Sequence, residues 1–75
     1  MKYLIVYEKT GTGFSAYSPD IPGCVATGGT KREVEKNMKE AVGFHLEGLT
    51  LEGIGAPEPS AYSGYVEIGV DRAVN

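Results

Sequence analysis

Cysteine and histidine are scarce in this sequence, and their scarcity excludes most ways of reinforcing a short chain. The 75 residues contain one cysteine, Cys24, and one histidine, His45. One cysteine cannot form a disulfide within the chain, and this pair cannot supply the four ligands of a usual structural zinc site. A domain of this size buries only ~60% of the surface that its unfolded chain exposes. We therefore expect no metal and no cofactor, and support from oligomerisation or from a partner.

The sequence also has no excess of basic residues and no long apolar run. Seven Lys and Arg against ten Asp and Glu give a net charge of −3, the wrong sign for a surface that binds phosphate backbones. The acidic excess suits either a basic partner or ordinary solubility. No run approaches the ~20 apolar residues of a membrane span, and the opening run is too short for a signal peptide. The sequence thus predicts a cytoplasmic protein without membrane association, in agreement with its free thiol.

Four short segments have the composition of β-strands. The first is apolar on both of its faces, so we expect both to be covered. Glycines at 10–13 are typical of a hairpin turn, and two prolines make 18–23 a rigid loop. A connection of about fifteen residues, unusually long for a compact domain, precedes the fourth segment. The predicted strands are 3–7, 14–18, 24–28 and 65–70.

A single helix is predicted between the third and fourth strands. Thr30 and Glu33 have the spacing of a capping box, and Val34, Met38 and Val42 recur at four-residue steps as an apolar stripe. The order is therefore β-β-β-α-β, an α+β fold with a small antiparallel sheet and one helix on one face. Because one helix covers only one sheet face, we expect self-association to cover the other.

No set of residues indicates a catalytic centre. His45 lies by the apolar stripe of the helix, which favours packing over activation of Cys24 as a nucleophile. Asp20 lies in the proline loop, and the other acids are dispersed rather than converging on a metal. We predict that the protein is not an enzyme and has neither a catalytic nor a metal site.

Three stretches resemble the HicB-like antitoxin family: GFSAYSPDIPGC at 13–24, TGGT at 27–30 before the helix, and PEPS at 57–60. The resemblance covers nearly the whole chain and implies one domain over 1–70, and we expect residues 71–75 to form a flexible tail. It also implies a degraded ribonuclease-H-like fold and dimers or tetramers. The implied function is that of an antitoxin, which binds and neutralises HicA, a small basic toxin that cleaves mRNA.

The resemblance leaves alternatives open. Many HicB-like proteins carry a C-terminal DNA-binding module, which this sequence lacks after the fourth strand, so we expect no direct DNA binding. A weak metal-dependent ribonuclease that uses Asp20 is one alternative function. The other is a stand-alone homo-oligomer with an unrelated partner.

Tyrosines carry the candidate interface, because a tyrosine side chain combines a large apolar surface with a polar tip. Charge on the same surface would steer a basic toxin. The same residues can be interpreted in two ways, as the contact with the toxin or as the interface between two copies of the chain. The candidate contact residues are Tyr3, Ile5, Tyr7, Tyr17, Asp20, Tyr65 and Glu67.

Overall fold

The computed structural model describes residues 1–69, which form three strands and one helix. The strands β1 (Val6–Lys9), β2 (Phe14–Tyr17) and β3 (Val25–Gly28) precede the helix α1 (Lys31–Leu51). The sheet is antiparallel, with the strand order β1-β2-β3. The α+β class and the order of these four elements are confirmed. The predicted tail at 71–75 lies outside the described residues.

The register of the sheet separates two faces. Tyr7, Ala16 and Ala26 are aligned across the three strands in one row. Because side chains alternate along a strand, the adjacent row points to the other face. Ala16 is buried in the core beside α1, whereas the adjacent row of Val6, Tyr17 and Val25 lies on the face away from the helix.

The first strand starts later than the sequence pattern predicts, at Val6 instead of Tyr3. The chain turns away after Tyr17, and the hydroxyl of Ser18 donates to the carbonyl oxygen of Leu4 at 2.9 Å. Pro19 follows and has no N–H to offer. A side-chain hydrogen bond thus replaces the backbone ladder at this end of the sheet, and Ser18 is buried there.

The proline loop closes the core from one end. Ile21 is fully buried, and two turn hydrogen bonds fold the loop around it, from Ile21 N to the Ser18 carbonyl and from Cys24 N to the Ile21 carbonyl, both at 3.2 Å. Gly23 has φ +80, a conformation that glycine adopts without strain. The buried core is completed by Ala16, Cys24, Val34 and Met38.

The helix begins at the predicted capping box and ends at a glycine. The Thr30 hydroxyl accepts from Glu33 N at 3.1 Å, and the Glu33 carboxylate accepts from Gly29 N at 2.8 Å. At the other end Gly53 has φ +77, and Ile54 N donates to the Leu49 carbonyl at 2.9 Å, as in a Schellman motif. α1 carries charges along its length, and no helix within residues 1–69 is long and apolar enough to cross a membrane.

The predicted fourth strand is not formed in the single chain. Residues 65–69 have no regular secondary structure and are exposed, and Val70 lies outside the described part of the chain. A strand requires a neighbouring strand for its backbone hydrogen bonds, and this segment has none within residues 1–69. We refer to residues 62–69 as the arm.

Candidate partner-binding surfaces

Three of the predicted contact residues line one groove. Tyr3, Ile5 and Tyr7 project from one side of the first extended segment towards α1, where they meet Met38 and Val42. The groove has a volume of about 250 Å³ and stays open along its outer side, because β1 is an edge strand. The groove is therefore a partly filled apolar site at the border between the sheet and the helix.

Tyr7 forms the polar rim of this groove. Partial burial raises the pKa of its hydroxyl, and the carboxylate of Glu35, which also lines the groove, raises it further. Tyr7 therefore stays neutral at physiological pH, and its hydroxyl can donate a hydrogen bond to a partner.

Tyr17 lies on the opposite side of the sheet from these three residues. It belongs to a cross-strand row with Val6 and Val25 on the face away from α1, where Tyr17 and Val25 are exposed and Val6 is half-buried. Val25 is 65% exposed, although valine is a residue that strands usually bury. We refer to the surface formed by Leu4, Val6, Tyr17 and Val25 as the open face.

Asp20 fastens the long connection to the proline loop. One carboxylate oxygen accepts from the backbone N–H groups of Ser60 and Ala61 at 2.9 and 3.0 Å, and the other accepts from the Ser60 hydroxyl at 3.0 Å. These hydrogen bonds, led by the one from Ala61, lower the pKa of the carboxyl group. We refer to this contact between Asp20, Ser60 and Ala61 as the clamp.

A second contact supports the clamp. The hydroxyl of Tyr3 donates to the carbonyl oxygen of Pro57 at 2.6 Å. The connection after α1 is therefore held at two points beside the start of β1. The remaining predicted contact residues, Tyr65 and Glu67, lie beyond the clamp on the exposed arm, away from the groove.

The geometry does not assemble a reactive centre from the residues considered above. Burial raises the pKa of the Cys24 thiol, which disfavours the nucleophilic thiolate. Both Asp20 oxygens are occupied by the clamp. Within residues 1–69, no group of three or more His, Cys, Asp or Glu side chains could hold a metal ion.

Val25 is the interaction candidate that the sequence reasoning missed. Its signal was the alternation of the third strand, where Ala26 faces the core and Val25 and Thr27 therefore face outward. The sequence predicts a first strand that is apolar on both faces, but the alignment of Val6 with Val25 depends on the register of all three strands.

Comparison with known proteins places this geometry in a family. Residues 3–68 match the model of the HicB-like antitoxin of bacterial toxin–antitoxin systems. A 14.9 kDa protein from the rep-hol intergenic region of Haemophilus phage HP1 is 36% identical over 66 residues, which cover 88% of this chain and 50% of the phage protein. A UPF0150 protein of Thermoplasma acidophilum is 34% identical over 62 residues, which cover 81% of this chain and 90% of that protein.

Solved structures give the same result. A chain of a HicA3 and HicB3 toxin–antitoxin complex superposes with a TM-score of 0.67 at 42% identity, covering 79% of this chain and 70% of that one. The crystal structure of the antitoxin HicB3 superposes with a TM-score of 0.66 at 44% identity, covering 76% of this chain and 42% of that one. The chain thus spans about half of the phage protein and less than half of the HicB3 antitoxin.

The antitoxin family agrees with the prediction of a protein that is not an enzyme. The match to the family model includes the sheet, the helix and the clamp. The chain belongs to the HicB-like antitoxin family.

Proposed function

We propose that this protein is the antitoxin of a type II toxin–antitoxin pair, and that it neutralises a small basic HicA-like toxin by binding it. A structure similar to this chain is that of a complex between a toxin and an antitoxin, HicA3 and HicB3. The protein acts by contact, because it contributes a surface rather than reacting groups. Since such a toxin acts on mRNA, the proposal places the protein in the cytoplasm.

The observation that carries the proposal is the open face. It presents Val6, Tyr17 and Val25 as one apolar row across three strands on the face away from α1, in which Tyr17 and Val25 are exposed and Val6 is half-buried. Exposed apolar rows on a small soluble domain mark protein contacts, and tyrosine is enriched at the centre of such interfaces. A rigid three-stranded sheet can offer this row without rearrangement, so little conformational entropy is lost on binding.

Charge complements the apolar row. Glu8 follows Val6 on the same face of β1 and is exposed, and the whole chain has a net charge of −3. A basic toxin is therefore attracted to this chain, and opposite charges accelerate the encounter of two proteins, most strongly at low ionic strength. The apolar row then provides the contact that slows dissociation.

The proposal includes a homo-oligomer with a seam separate from the open face. The groove beside β1 lies on the helix side of the sheet, whereas Tyr17 and Val25 lie on the other side. A toxin and a second copy of the chain can then bind at the same time without competing for one surface.

The test is binding of a HicA-like toxin from the same genome to the wild-type chain and to Val25→Lys. We expect a stable complex with the wild type, and an affinity at least about 10-fold lower for Val25→Lys, because the lysine places a charge in the apolar row and repels a basic partner.

Phe44→Lys is the matched control. Phe44 is 79% exposed and Val25 65%, and both substitutions replace an exposed apolar side chain by the same cation. Phe44 lies on α1 rather than on the open face, so toxin binding should stay at the wild-type level. Equal affinities for both variants would refute the placement on the open face, and no binding by the wild type would refute the antitoxin function.

A further inference from the structure

The free edge of the sheet is β1. It is an outer strand, and within residues 1–69 no strand pairs with its outer side. The other edge is partly occupied, because the Asn37 side chain donates from Nδ2 to the carbonyl oxygen of Thr27 at 2.8 Å. An unpaired edge is a template for an added strand. The edge available for such a strand is therefore that of β1, beside the groove.

The arm has the side chains of a strand without a sheet to join. In an extended chain, Val66 and Ile68 project to one side and Tyr65 and Glu67 to the other. Tyr62, Val66 and Ile68 are 91%, 82% and 65% exposed. Loops and tails of a soluble domain rarely expose so many apolar side chains in succession, and this concentration marks an interaction surface.

The dimensions of the arm and of the edge match. At ~3.3 Å per residue, the eight residues of the arm span about 26 Å, and residues 3–9 along the edge span about 23 Å. The groove beside this edge is lined by Ile5, Met38 and Val42 among others, and it is open on the side where an added strand would lie. A strand placed there with Val66 and Ile68 towards α1 would fill the groove with apolar side chains.

We propose that two copies of the chain form a dimer by arm exchange, in which the arm of each copy adds as a strand to β1 of the other. Each copy offers one arm and one free edge, so a two-fold axis satisfies both and leaves neither available for further addition. The dimer deepens the homo-oligomer of the proposed function but requires no toxin, since it forms through the β1 edge and the groove. It reaches the open face only at the β1 margin, where Tyr65 and Glu67 would lie, and leaves Tyr17 and Val25 free.

The second copy is the favoured occupant for two reasons. The arm begins next to the clamp, beside the start of its own β1, yet its side chains lie exposed and away from its own groove. Two exchanged arms also bury enough surface. With two tyrosines per arm at about 150–250 Å² each, and an equal area on the surfaces that they cover, the total reaches roughly 1,200–2,000 Å². Stable specific interfaces occupy the same range.

The first test is the mass of the purified chain at micromolar concentration, measured by light scattering without any toxin. We expect twice the chain mass of 8.0 kDa for the wild type and 8.0 kDa for Val66→Asp/Ile68→Asp. Each substitution should weaken the dimer about 30-fold, as loss of a central interface side chain does. Because both residues lie outside the folded core, the helical circular dichroism of the variant should equal that of the wild type.

Phe44→Asp/Leu51→Asp is the control. It introduces the same two charges at side chains that are 79% and 83% exposed on α1, and it should remain dimeric. A monomeric wild type, or a control that dissociates while the arm variant stays dimeric, would overturn arm exchange. Neither result bears on toxin binding, which is measured separately through the open face.

Cysteine cross-linking distinguishes exchange between copies from docking within one copy. The native Cys24 is buried, so a new surface thiol can be followed without removing it. A mixture of the Tyr7→Cys and Val66→Cys chains should form a disulfide between the two different chains upon oxidation. If the mixture stays unlinked, and a chain carrying both substitutions closes a disulfide within the monomer instead, the arm docks on its own edge and the proposal is wrong.

Discussion

At the scale of single residues, Asp20 determines where the connection after α1 returns to the sheet. It accepts two backbone N–H groups and one hydroxyl group from Ser60 and Ala61, across 40 residues of sequence. Hydrogen bonds from N–H groups favour the ionised carboxylate, which is the physical reason for its lowered pKa. The role of Asp20 in this chain is therefore to hold the start of the arm beside β1.

Because the folded-state pKa of Asp20 lies below the unfolded one, ionisation of this carboxylate stabilises the clamp. The contribution is complete above the unfolded pKa of about 3.9 and is lost as the pH falls through the folded pKa. We expect the amide proton shifts of Ser60 and Ala61 to change together as the pH falls below about 3.9 in an NMR titration.

In Asp20→Asn the same two amide protons should show no such titration, since the amide side chain does not ionise. Ser60→Ala is the control, because it removes only the hydroxyl donor and retains both backbone donors. Its titration should resemble that of the wild type. Amide shifts that titrate unchanged in Asp20→Asn would show that another group governs them.

At the scale of elements, the close contact of β3 with the start of α1 depends on a glycine. A Cβ at Gly28 would lie 2.5 Å from Val34 N and 2.9 Å from Val34 Cα, which are backbone atoms of α1 that cannot rotate away. Val34 is buried at this contact. The absence of a side chain at Gly28 therefore sets the distance between the sheet and the helix, and with it the depth of the core.

Gly28→Ala should lower the free energy of unfolding by about 1–3 kcal/mol, the usual cost of overpacking. Gly43→Ala is the matched control, since a Cβ there meets no atom within 4 Å and the position lies inside α1. It should raise the free energy of unfolding by about 0.5–1 kcal/mol. Urea unfolding at one fixed protein concentration measures both values, and similar values for the two variants would contradict the close contact.

The elements with local signals could be predicted from the sequence. Thr30, Glu33 and Gly53 define the helix through hydrogen bonds and backbone angles that involve near neighbours only. The three strands of the sheet were found within a few residues of their bounds, because alternation and turns are also local. The start of β2 at Phe14 is confirmed, but that of β1 was missed, since it depends on the side chain of Ser18, fourteen residues away from its acceptor.

Features that depend on distant partners could not be predicted in the same way. The clamp joins Asp20 to residues 40 positions away, and no local pattern marks such a pair. The prediction of a fourth strand was wrong for a related reason. The alternation at Tyr65–Gly69 is real, but a strand forms only where a partner edge is supplied, and the single chain does not bring one to it.

At the scale of the whole molecule, the chain is extended rather than spherical. Its largest dimension is 57 Å and its radius of gyration is 16.0 Å, whereas a compact domain of this length has a radius of about 11 Å. The difference is due to α1 and the arm. Only Val34 and Met38 of α1 are buried, and the arm is exposed throughout. Such a shape leaves burial to be completed by other molecules.

The two proposed binding surfaces, the open face and the groove beside β1, would each be buried by a different molecule. The open face is directed at a toxin, and the groove beside β1 at the arm of a second copy. They lie on opposite sides of the sheet, so each can be disrupted without the other. Val25→Lys should impair toxin binding in a dimer that remains intact, and Val66→Asp/Ile68→Asp should yield a monomer that retains the open face.

The central claim is that this chain neutralises a toxin by binding it, and inhibition of RNA cleavage tests that claim most directly. A HicA-like toxin from the same genome is mixed with a model mRNA and titrated with the wild-type chain. The account predicts that cleavage falls in proportion to added chain and stops near one chain per toxin. At toxin concentrations near the Kd of the wild type, Val25→Lys should require several-fold more chain for the same inhibition. Undiminished cleavage in the presence of a large excess of folded wild-type chain would contradict it.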